Sequence, residues 1–255
     1  MSVPGSVKQI LGSGSIEQLG PATFASADRV CTASRSPRTH AQLLEVHRSL
    51  APALEASGVR IPRLLDHTDA LVVVERVPGI PLATGLQPVG HLPDGVIAAA
   101  ARWLDALRAA PIPKVDPLSL DKAARKRILT ILEALPERWI RALEAHLDPS
   151  VLAGQTRSWC HRDFHPRNWL WDGRTLTVID WEHARPDHPA VDLARVPLAV
   201  SRSLEAACRI PVDPAAIRLF RVMDAAGTLA WGTRHGAEAY VRDGVARLQE
   251  VGICG

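Results

Sequence analysis

Three side chains in one short stretch, Asp163, Asn168 and Asp180, have the types needed to handle a metal-bound phosphate. Pro166 lies between the first two and favours an extended loop over a helix. After Asn168, an apolar run, an Asp-Gly turn pair and a β-branched run predict a β-hairpin. Because a hairpin reverses the chain, Asp180 is expected within roughly 10 Å of Asn168, at about 3.4 Å per strand residue.

These residue types suit phosphoryl transfer to a hydroxyl group. That reaction needs a carboxylate to orient the nucleophile, and oxygen ligands for the Mg²⁺ that neutralises the nucleotide phosphates. Asp163 suits the first role, and Asn168 and Asp180 suit the second. The segment from His161 to Asn168, HRDFHPRN, fits the catalytic-loop pattern H-R-D-L-x-x-x-N, with Phe at the apolar position. The alternative is an Asp-capped loop followed by an ordinary hairpin.

The same stretch resembles the aminoglycoside phosphotransferase and choline kinase family of small-molecule kinases. The resemblance rests on HRDFHPRN, on VIDWE around Asp180, and on HPAVDLA, which ends at Ala194. It implies an α+β, two-lobed, protein-kinase-like fold with a small β-rich N-lobe at residues 1–83 and a larger, mostly helical C-lobe at 84–255. A protein kinase is excluded, because no A-P-E follows and the short spacing to Asp192 leaves no room for an activation segment.

A glycine-containing turn near the start of the chain is the candidate phosphate cover. Glycines let backbone N–H groups approach an anion closely, and the turn precedes a predicted strand in a region, residues 7–35, of short strands and turns. A flexible surface turn is the alternative. The candidate nucleotide-binding residues here are Gly12, Ser13, Gly14 and Ser15.

The third strand, predicted over residues 29–35, departs from the family pattern. Such kinases have a lysine there that pairs with a helix carboxylate, but none of the four lysines of this chain falls on the strand. Glu45 is the candidate helix acid, with an exposed carboxylate as the alternative. Arg35 could reach inward to Glu45, but the Ser36-Pro37 pair that follows favours a solvated arginine.

The rest of the predicted N-lobe is a helix and a strand pair. Residues 39–56 have helical spacing, with Pro52 as a kink or division and Gly58 as the end of the helix. Strands at 61–66 and 71–75 then lead into a Pro/Gly-rich linker. By resemblance, adenine would bind backbone groups from Glu75 to Val77. An edge strand ending in a turn is the alternative.

The predicted C-lobe consists mainly of helices around the catalytic hairpin. His161 and Asp192 are expected to brace the catalytic loop rather than to transfer protons or bind metal. Arg162 and Arg167 are interpreted as solvated, with phosphate contact as the alternative. The helices are expected at 95–110 with Asp94 as N-cap, at 121–146 with a break at Pro136, at 192–209, and at 214–251 with breaks near Gly227, Gly232 and Gly236.

Composition narrows the class of protein. The chain has 255 residues, is 47% hydrophobic and has a net charge of +3, without a basic stripe interleaved with aromatics, so nucleic acid is not an expected partner. The four cysteines form no C-x-x-C pair and are interpreted as reduced thiols. The longest uncharged stretch is broken by prolines and glycines, and no signal segment is apparent, so a cytoplasmic protein without a membrane span or obligate protein partner is expected.

These observations predict an ATP- and Mg²⁺-dependent O-phosphotransferase acting on a small hydroxylated molecule. An antibiotic such as an aminoglycoside is the first choice, by resemblance. The acidic residues after position 213 are interspersed with arginines, so no acidic patch for a polycation follows from the sequence. A metabolite kinase for an amino alcohol or sugar is the alternative, and a nucleotide-binding pseudokinase is the third, because of the missing lysine.

Overall fold

The computed structural model describes residues 5–11, 15–83, 92–93, 95–113 and 119–254. Gly12, Ser13, Gly14 and the predicted N-cap Asp94 lie outside these ranges. The N-terminal part is an antiparallel five-stranded sheet with the order β1-β2-β3-β5-β4. Its strands are β1 (Glu17–Gly20), β2 (Thr23–Ala25), β3 (Arg29–Ala33), β4 (Leu64–His67) and β5 (Leu71–Glu75).

The outer face of this sheet is covered by a helix that sequence patterns did not predict. Helix α1 (Gly5–Leu11) stands where short strands and turns were expected, so that part of the prediction is wrong. Val7 and Leu11 of α1 pack in one cluster with Cys31 of β3 and Val73 of β5. A segment this short gives little periodic signal, and burial against the sheet stabilises the helix.

The helix predicted over residues 39–56 is confirmed, with a change of geometry in its middle. It comprises α2 (Pro37–Glu45), a π-helical turn (Val46–Leu50) and α3 (Ala51–Ala56). Ser36 begins α2 by accepting a hydrogen bond from Thr39 N at 3.1 Å. Pro52 lies in the first turn of α3, directly after the π-helical turn, so the change of geometry occurs where a kink or division was expected. Gly58 follows the end with a φ of +78°.

The remaining strands form two small sheets separate from the large one. In the first, the order is β6-β8-β9, and the linker strand β6 pairs with the hairpin that follows the catalytic loop. In the second, β7 and β10 pair with each other on either side of the catalytic stretch. Their bounds are β6 (Ile80–Pro81), β7 (Ser158–Cys160), β8 (Trp169–Trp171), β9 (Leu176–Val178) and β10 (Arg185–Asp187).

Helices make up most of the C-terminal part, as predicted. The expected break at Pro136 occurs, and a further break at Pro197 divides the third predicted tract. The described residues include no helix long and apolar enough to cross a bilayer. The helices are α4 (Val96–Ala109), α5 (Leu120–Leu132), α6 (Glu137–Glu144), α7 (Ala190–Arg195), α8 (Leu198–Ala207), α9 (Pro214–His235) and α10 (Glu238–Glu250).

Two glycines predicted to break the last helical tract instead lie inside a continuous helix. Gly227 and Gly232 are within α9, and only Gly236, with a φ of +64°, ends it. A Cβ on Gly232 would lie 2.7 Å from the backbone nitrogen of Val241 in α10. Gly232 therefore permits the close approach of the two helices, a packing role that a single-chain pattern does not reveal.

Candidate active site

The hairpin brings Asn168 and the residues around Asp180 together, as predicted. Trp169 in β8 pairs with Val178 in β9, and the N–H of Ile179 donates to the carbonyl of Asn168 at 2.9 Å. Ile179, at the end of the strand, is thus bonded to Asn168, and Asp180 is the next residue. Its backbone has a φ of +66°, in the left-handed region, which turns the chain sharply into the Trp181–His183 segment.

The Asp163 carboxylate is buried next to Asn168 and is held by contacts with three side chains. The Asn168 amide donates to Oδ2 at 2.9 Å, and Arg167 Nη2 donates to Oδ1 and Oδ2 at 2.9 and 3.0 Å. Arg195 Nε lies 3.8 Å from Oδ1. Burial alone would raise the pKa of Asp163, but Arg195 and Arg167 outweigh it and hold the pKa below its usual value. The group is an ionised, preoriented carboxylate.

His161 and Asp192 brace the loop that holds Asp163, in agreement with the prediction. The His161 ring accepts from the N–H of Asp163 at 3.2 Å and bonds the carbonyl of Ile179 at 2.9 Å. Asp192 accepts the N–H groups of His161 at 2.9 Å and Arg162 at 2.6 Å. Burial lowers the pKa of His161 to about 4, so the ring is neutral near pH 7 and is not a proton donor of ordinary strength.

Arg167 is a site residue whose role the sequence analysis missed. It was interpreted as solvated or phosphate-facing, but its guanidinium is bonded to the Asp163 carboxylate. The short 3₁₀ turn Pro166–Asn168, which His165 caps by accepting the Arg167 N–H at 3.2 Å, directs the arginine back over Asp163. The four-residue spacing of Asp163 and Arg167 is a weak signal, because the loop conformation that joins them had to be known first.

Asn168 and Asp180 have the donor set that a magnesium–nucleotide complex needs. The Asn168 amide nitrogen is turned to Asp163, so its oxygen is left for a cation. Asp180 is open to the cleft, and among the described residues its carboxylate accepts no hydrogen bond. Partial desolvation, with Glu182 and Asp163 nearby, raises the pKa of Asp180 to about 6. One amide oxygen and one carboxylate, completed by phosphate oxygens and water, fit Mg²⁺.

The inner face of β3 has no cation. Cys31 points outward to the α1 cluster, so its neighbours Val30 and Thr32 face the cleft, with Thr32 opposite Val72 of β5. Thr32 therefore lies on the face of β3 where the family pattern has a lysine. Among the described residues, β3 therefore offers nucleotide phosphates main-chain groups but no cationic side chain on this face.

Arg35 and Glu45 do not form the pair that was considered. Arg35 is 73% exposed, as favoured, but its Nη2 lies 3.2 Å from Oε1 of Glu182, just after Asp180. Glu45 accepts from Ser49 Oγ at 2.6 Å within its own helix. Arg35 therefore links the end of β3 to the segment after the hairpin, and Glu45 is a helix carboxylate with a local partner.

Contacts at the two ends of the large sheet show which end lies near the linker and which lies near Asp180. At the linker end, Arg76 contacts Glu17 of β1 at 3.0 Å and the carbonyl of Ser26 at 2.9 Å. At the opposite end, the N–H of Ala33 donates to the carbonyl of Ala22 at 2.9 Å, near Arg35. Ser15 precedes β1 and so lies at the linker end, whereas the β1–β2 turn at residues 20–22 lies at the end that faces Asp180.

Two of the backbone N–H groups proposed to bind adenine already donate to other carbonyls. The N–H groups of Glu75 and Arg76 donate to the carbonyls of Arg63 and Asp28 at 2.9 and 2.8 Å. The Glu75 side chain faces away, toward Arg60 at 2.9 Å. The Val77 N–H, by contrast, has no partner among the residues that the structure describes. Of the predicted pair Glu75 and Val77, the second has a backbone donor to offer.

Comparison with known proteins decides the family. Residues 22–225 match the family model described as the phosphotransferase enzyme family, APH. The chain belongs to this family. The match includes most of each lobe and the whole catalytic stretch, so the family resemblance drawn from HRDFHPRN and VIDWE is confirmed. No curated protein sequence matches the chain.

Solved structures of phosphotransferases share the fold. The GDP and kanamycin complex of APH(2")-IIia superposes with a TM-score of 0.72 at 21% identity, covering 93% of this chain and 92% of that one. The macrolide 2'-phosphotransferase MphH from Brachybacterium faecium gives 0.64 at 17%, covering 95% of both chains. A choline/ethanolamine kinase family protein from Mesorhizobium loti gives 0.64 at 17%, covering 92% and 88%.

The family assignment and these likenesses confirm the predicted two-lobed, kinase-like α+β fold with an antiparallel N-lobe and a helical C-lobe. The protein is a small-molecule phosphotransferase.

Proposed function

We propose that this phosphotransferase transfers the γ-phosphoryl group of ATP to a hydroxyl group of a small molecule. The observation that supports this most is the Asp163 carboxylate, held ionised by Arg167 and Arg195 beside the Asn168–Asp180 ligand pair. Asp163 orients the acceptor hydroxyl and receives its proton late in the reaction. Mg²⁺, held by Asn168 and Asp180, would neutralise phosphate charge. A cytoplasmic location, expected from the sequence, suits a protein that uses ATP.

The nucleotide would lie between the lobes with its base at the linker. The Val77 N–H is a donor for adenine, and the Glu75 main chain adjoins it. The sheet register supports the β1–β2 turn, residues 20–22, as a cover for the phosphates. The earlier assignment to Gly12, Ser13, Gly14 and Ser15 is less well supported, because Ser15 precedes β1 at the linker end and the other residues lie outside the described ranges.

An antibiotic is our first candidate for the acceptor. Several proteins of like fold were crystallised with aminoglycosides, as the kanamycin and gentamicin complexes state, and another is named as a macrolide phosphotransferase. Sequence identities near 20% leave the acceptor to be settled by experiment. Asp163, Asn168 and Asp180 are all retained, which speaks for an active enzyme rather than a pseudokinase.

A metabolite kinase is the second candidate, because the carboxylates of Asp163 and Asp224 are paired with arginines. Arg195 Nη1 lies 2.8 Å from the Asp224 carboxylate, which Arg247 also contacts. With Arg167 on Asp163, the carboxylates that could attract a polycation are already neutralised by arginines. This arrangement favours a neutral or anionic hydroxylated acceptor, such as a sugar, over a highly cationic one.

The test is ADP release measured against a panel of acceptors at fixed MgATP. The panel contains kanamycin, gentamicin, a macrolide, choline, ethanolamine and neutral sugars, and Asp163→Asn serves as the inactive control. We expect one class to stimulate ADP release well above the water background, and the Asp163→Asn protein to lose that stimulation. Stimulation that survives in Asp163→Asn would overturn the proposed role of Asp163.

A further inference from the structure

A cavity of about 380 Å³ lies next to the catalytic loop but includes none of Asp163, Asn168 or Asp180 among its lining residues. Helix α5 forms one wall, strand β10 another, and Phe220 and Met223 of α9 a third. Arg162, the neighbour of Asp163 in the chain, reaches into it. The volume is in the range of small-ligand sites.

The polar part of the lining is strongly cationic. One carboxylate, Asp187, faces this cavity, and its Oδ2 lies 3.0 Å from Arg162 Nε. The basic side chains that line it are Lys126, Arg127, Arg157, Arg162 and Arg185. Asp187 and the nearby Asp224 offset part of the charge on Arg127, but the lining as a whole has more basic than acidic side chains and so favours an anion.

Arg127 marks the point where an anion would bind. Its Nη1 atom is buried and has no hydrogen-bond partner among the described residues. Burial and the nearby charge of Arg162 lower the pKa of Arg127. A buried N–H group without an acceptor is destabilising, and an acceptor oxygen from a ligand would satisfy Nη1.

The apolar residues of the lining indicate that the ligand also has an apolar group. Leu120 and Ile131, on the same helix as Arg127, and the two α9 side chains add apolar surface to the lining. We propose that the cavity binds a small organic anion, a phosphate or carboxylate attached to an apolar or aromatic group, with its charge on Arg127, Arg162 and Arg185. The site is separate from the phosphoryl-transfer residues, and the inference does not depend on the proposed function.

The probes are phenyl phosphate, phenol as its neutral counterpart, and inorganic phosphate, each titrated calorimetrically into the intact protein. We expect phenyl phosphate to bind with a Kd of about 1 mM or tighter, inorganic phosphate more weakly, and phenol without measurable heat. Arg127→Gln should weaken phenyl phosphate at least about ten-fold, because one charge-assisted hydrogen bond is lost. Arg125→Gln removes the same charge from an exposed position of α5 outside the cavity and should leave the Kd unchanged.

Thermal unfolding separates a ligand site from a structural role for Arg127. If Nη1 of Arg127 gains its acceptor only from a ligand, Arg127→Gln should unfold at about the same temperature as the wild type and lose the increase in Tm that phenyl phosphate causes. The inference is overturned if phenyl phosphate does not bind the wild type, if Arg127→Gln binds it as tightly as Arg125→Gln, or if Arg127→Gln is markedly less stable without ligand. None of these readouts requires turnover.

Discussion

The two sides of the cleft are built differently. On the C-lobe side, the catalytic loop is held by buried hydrogen bonds: Asp192 accepts two of its N–H groups, and the neutral His161 ring ties it to Ile179. On the N-lobe side, the inner face of β3 offers Val30 and Thr32, and Arg35 is an exposed residue at its edge. One side is organised before any ligand arrives, and the other supplies mainly backbone.

The difference teaches where binding and reactivity reside. Because Asp163 is fixed by Asn168 and Arg167, its orientation does not depend on nucleotide. Without a cation on the inner face of β3, the described part of the N-lobe offers mainly N–H groups to the charge of the nucleotide. Reactivity should therefore respond steeply to changes in the loop, and nucleotide affinity should respond little to side-chain changes in the N-lobe.

The largest effect is expected at Asp163. Replacing it with asparagine keeps the shape but removes the proton acceptor, so kcat should fall by a factor on the order of 10² to 10⁴. Nucleotide affinity, measured by calorimetry, should barely move. A variant with near-normal kcat on the true acceptor would remove Asp163 from the mechanism.

The second-largest effect is expected when Asp192, which accepts two N–H groups of the catalytic loop, is removed. Asp192→Ala leaves the buried N–H groups of His161 and Arg162 without acceptors, so the free energy of unfolding should drop by about 2–4 kcal/mol. Urea denaturation measures this directly. Glu45→Ala is the N-lobe counterpart and should cost no more than about 0.5 kcal/mol, since Glu45 has only a local hydroxyl partner. Equal losses in the two variants would erase the contrast between the lobes.

Metal binding should depend on pH through Asp180. Its pKa is raised to about 6, and only the ionised carboxylate is a good ligand for Mg²⁺. The affinity for MgATP should thus be full above about pH 7 and fall by up to about ten-fold per pH unit below about 6. Titrations from pH 5 to 8 test this, with Asp180→Asn expected to bind weakly at every pH. A wild-type affinity that is flat across this range would contradict the assignment.

The smallest effect is expected at Arg35. Its ion pair with Glu182 is exposed, and such pairs contribute about 0–1 kcal/mol. Arg35→Ala should therefore leave the KM for ATP within about two-fold. A rise of ten-fold or more, equivalent to about 1.4 kcal/mol, would mean that Arg35 grips phosphate and that the N-lobe does supply a cation.

Local patterns were enough to predict the hairpin and the residues at its mouth. The proline in the loop, the Asp-Gly turn and the β-branched run each fix the backbone within a few residues. Helix α1, the placement of residues 20–22 opposite Asp180 and the contact of Arg167 with Asp163 were not predictable in this way. Each depends on which segments pack together, and Gly232 shows the same limit, since its neighbour is a different helix.

Strand β6 joins the second half of the linker to the catalytic hairpin. Ile80 pairs with Trp171, and the N–H of Leu82 donates to the carbonyl of Trp169 at 3.1 Å. Mechanically, the second half of the linker is thus a third strand of the catalytic hairpin. Gly79, just before β6, packs against the same hairpin: its φ of +119° suits only glycine, and a Cβ there would lie 3.0 Å from the Trp171 nitrogen. A larger residue at position 79 would therefore displace the hairpin that begins next to Asn168.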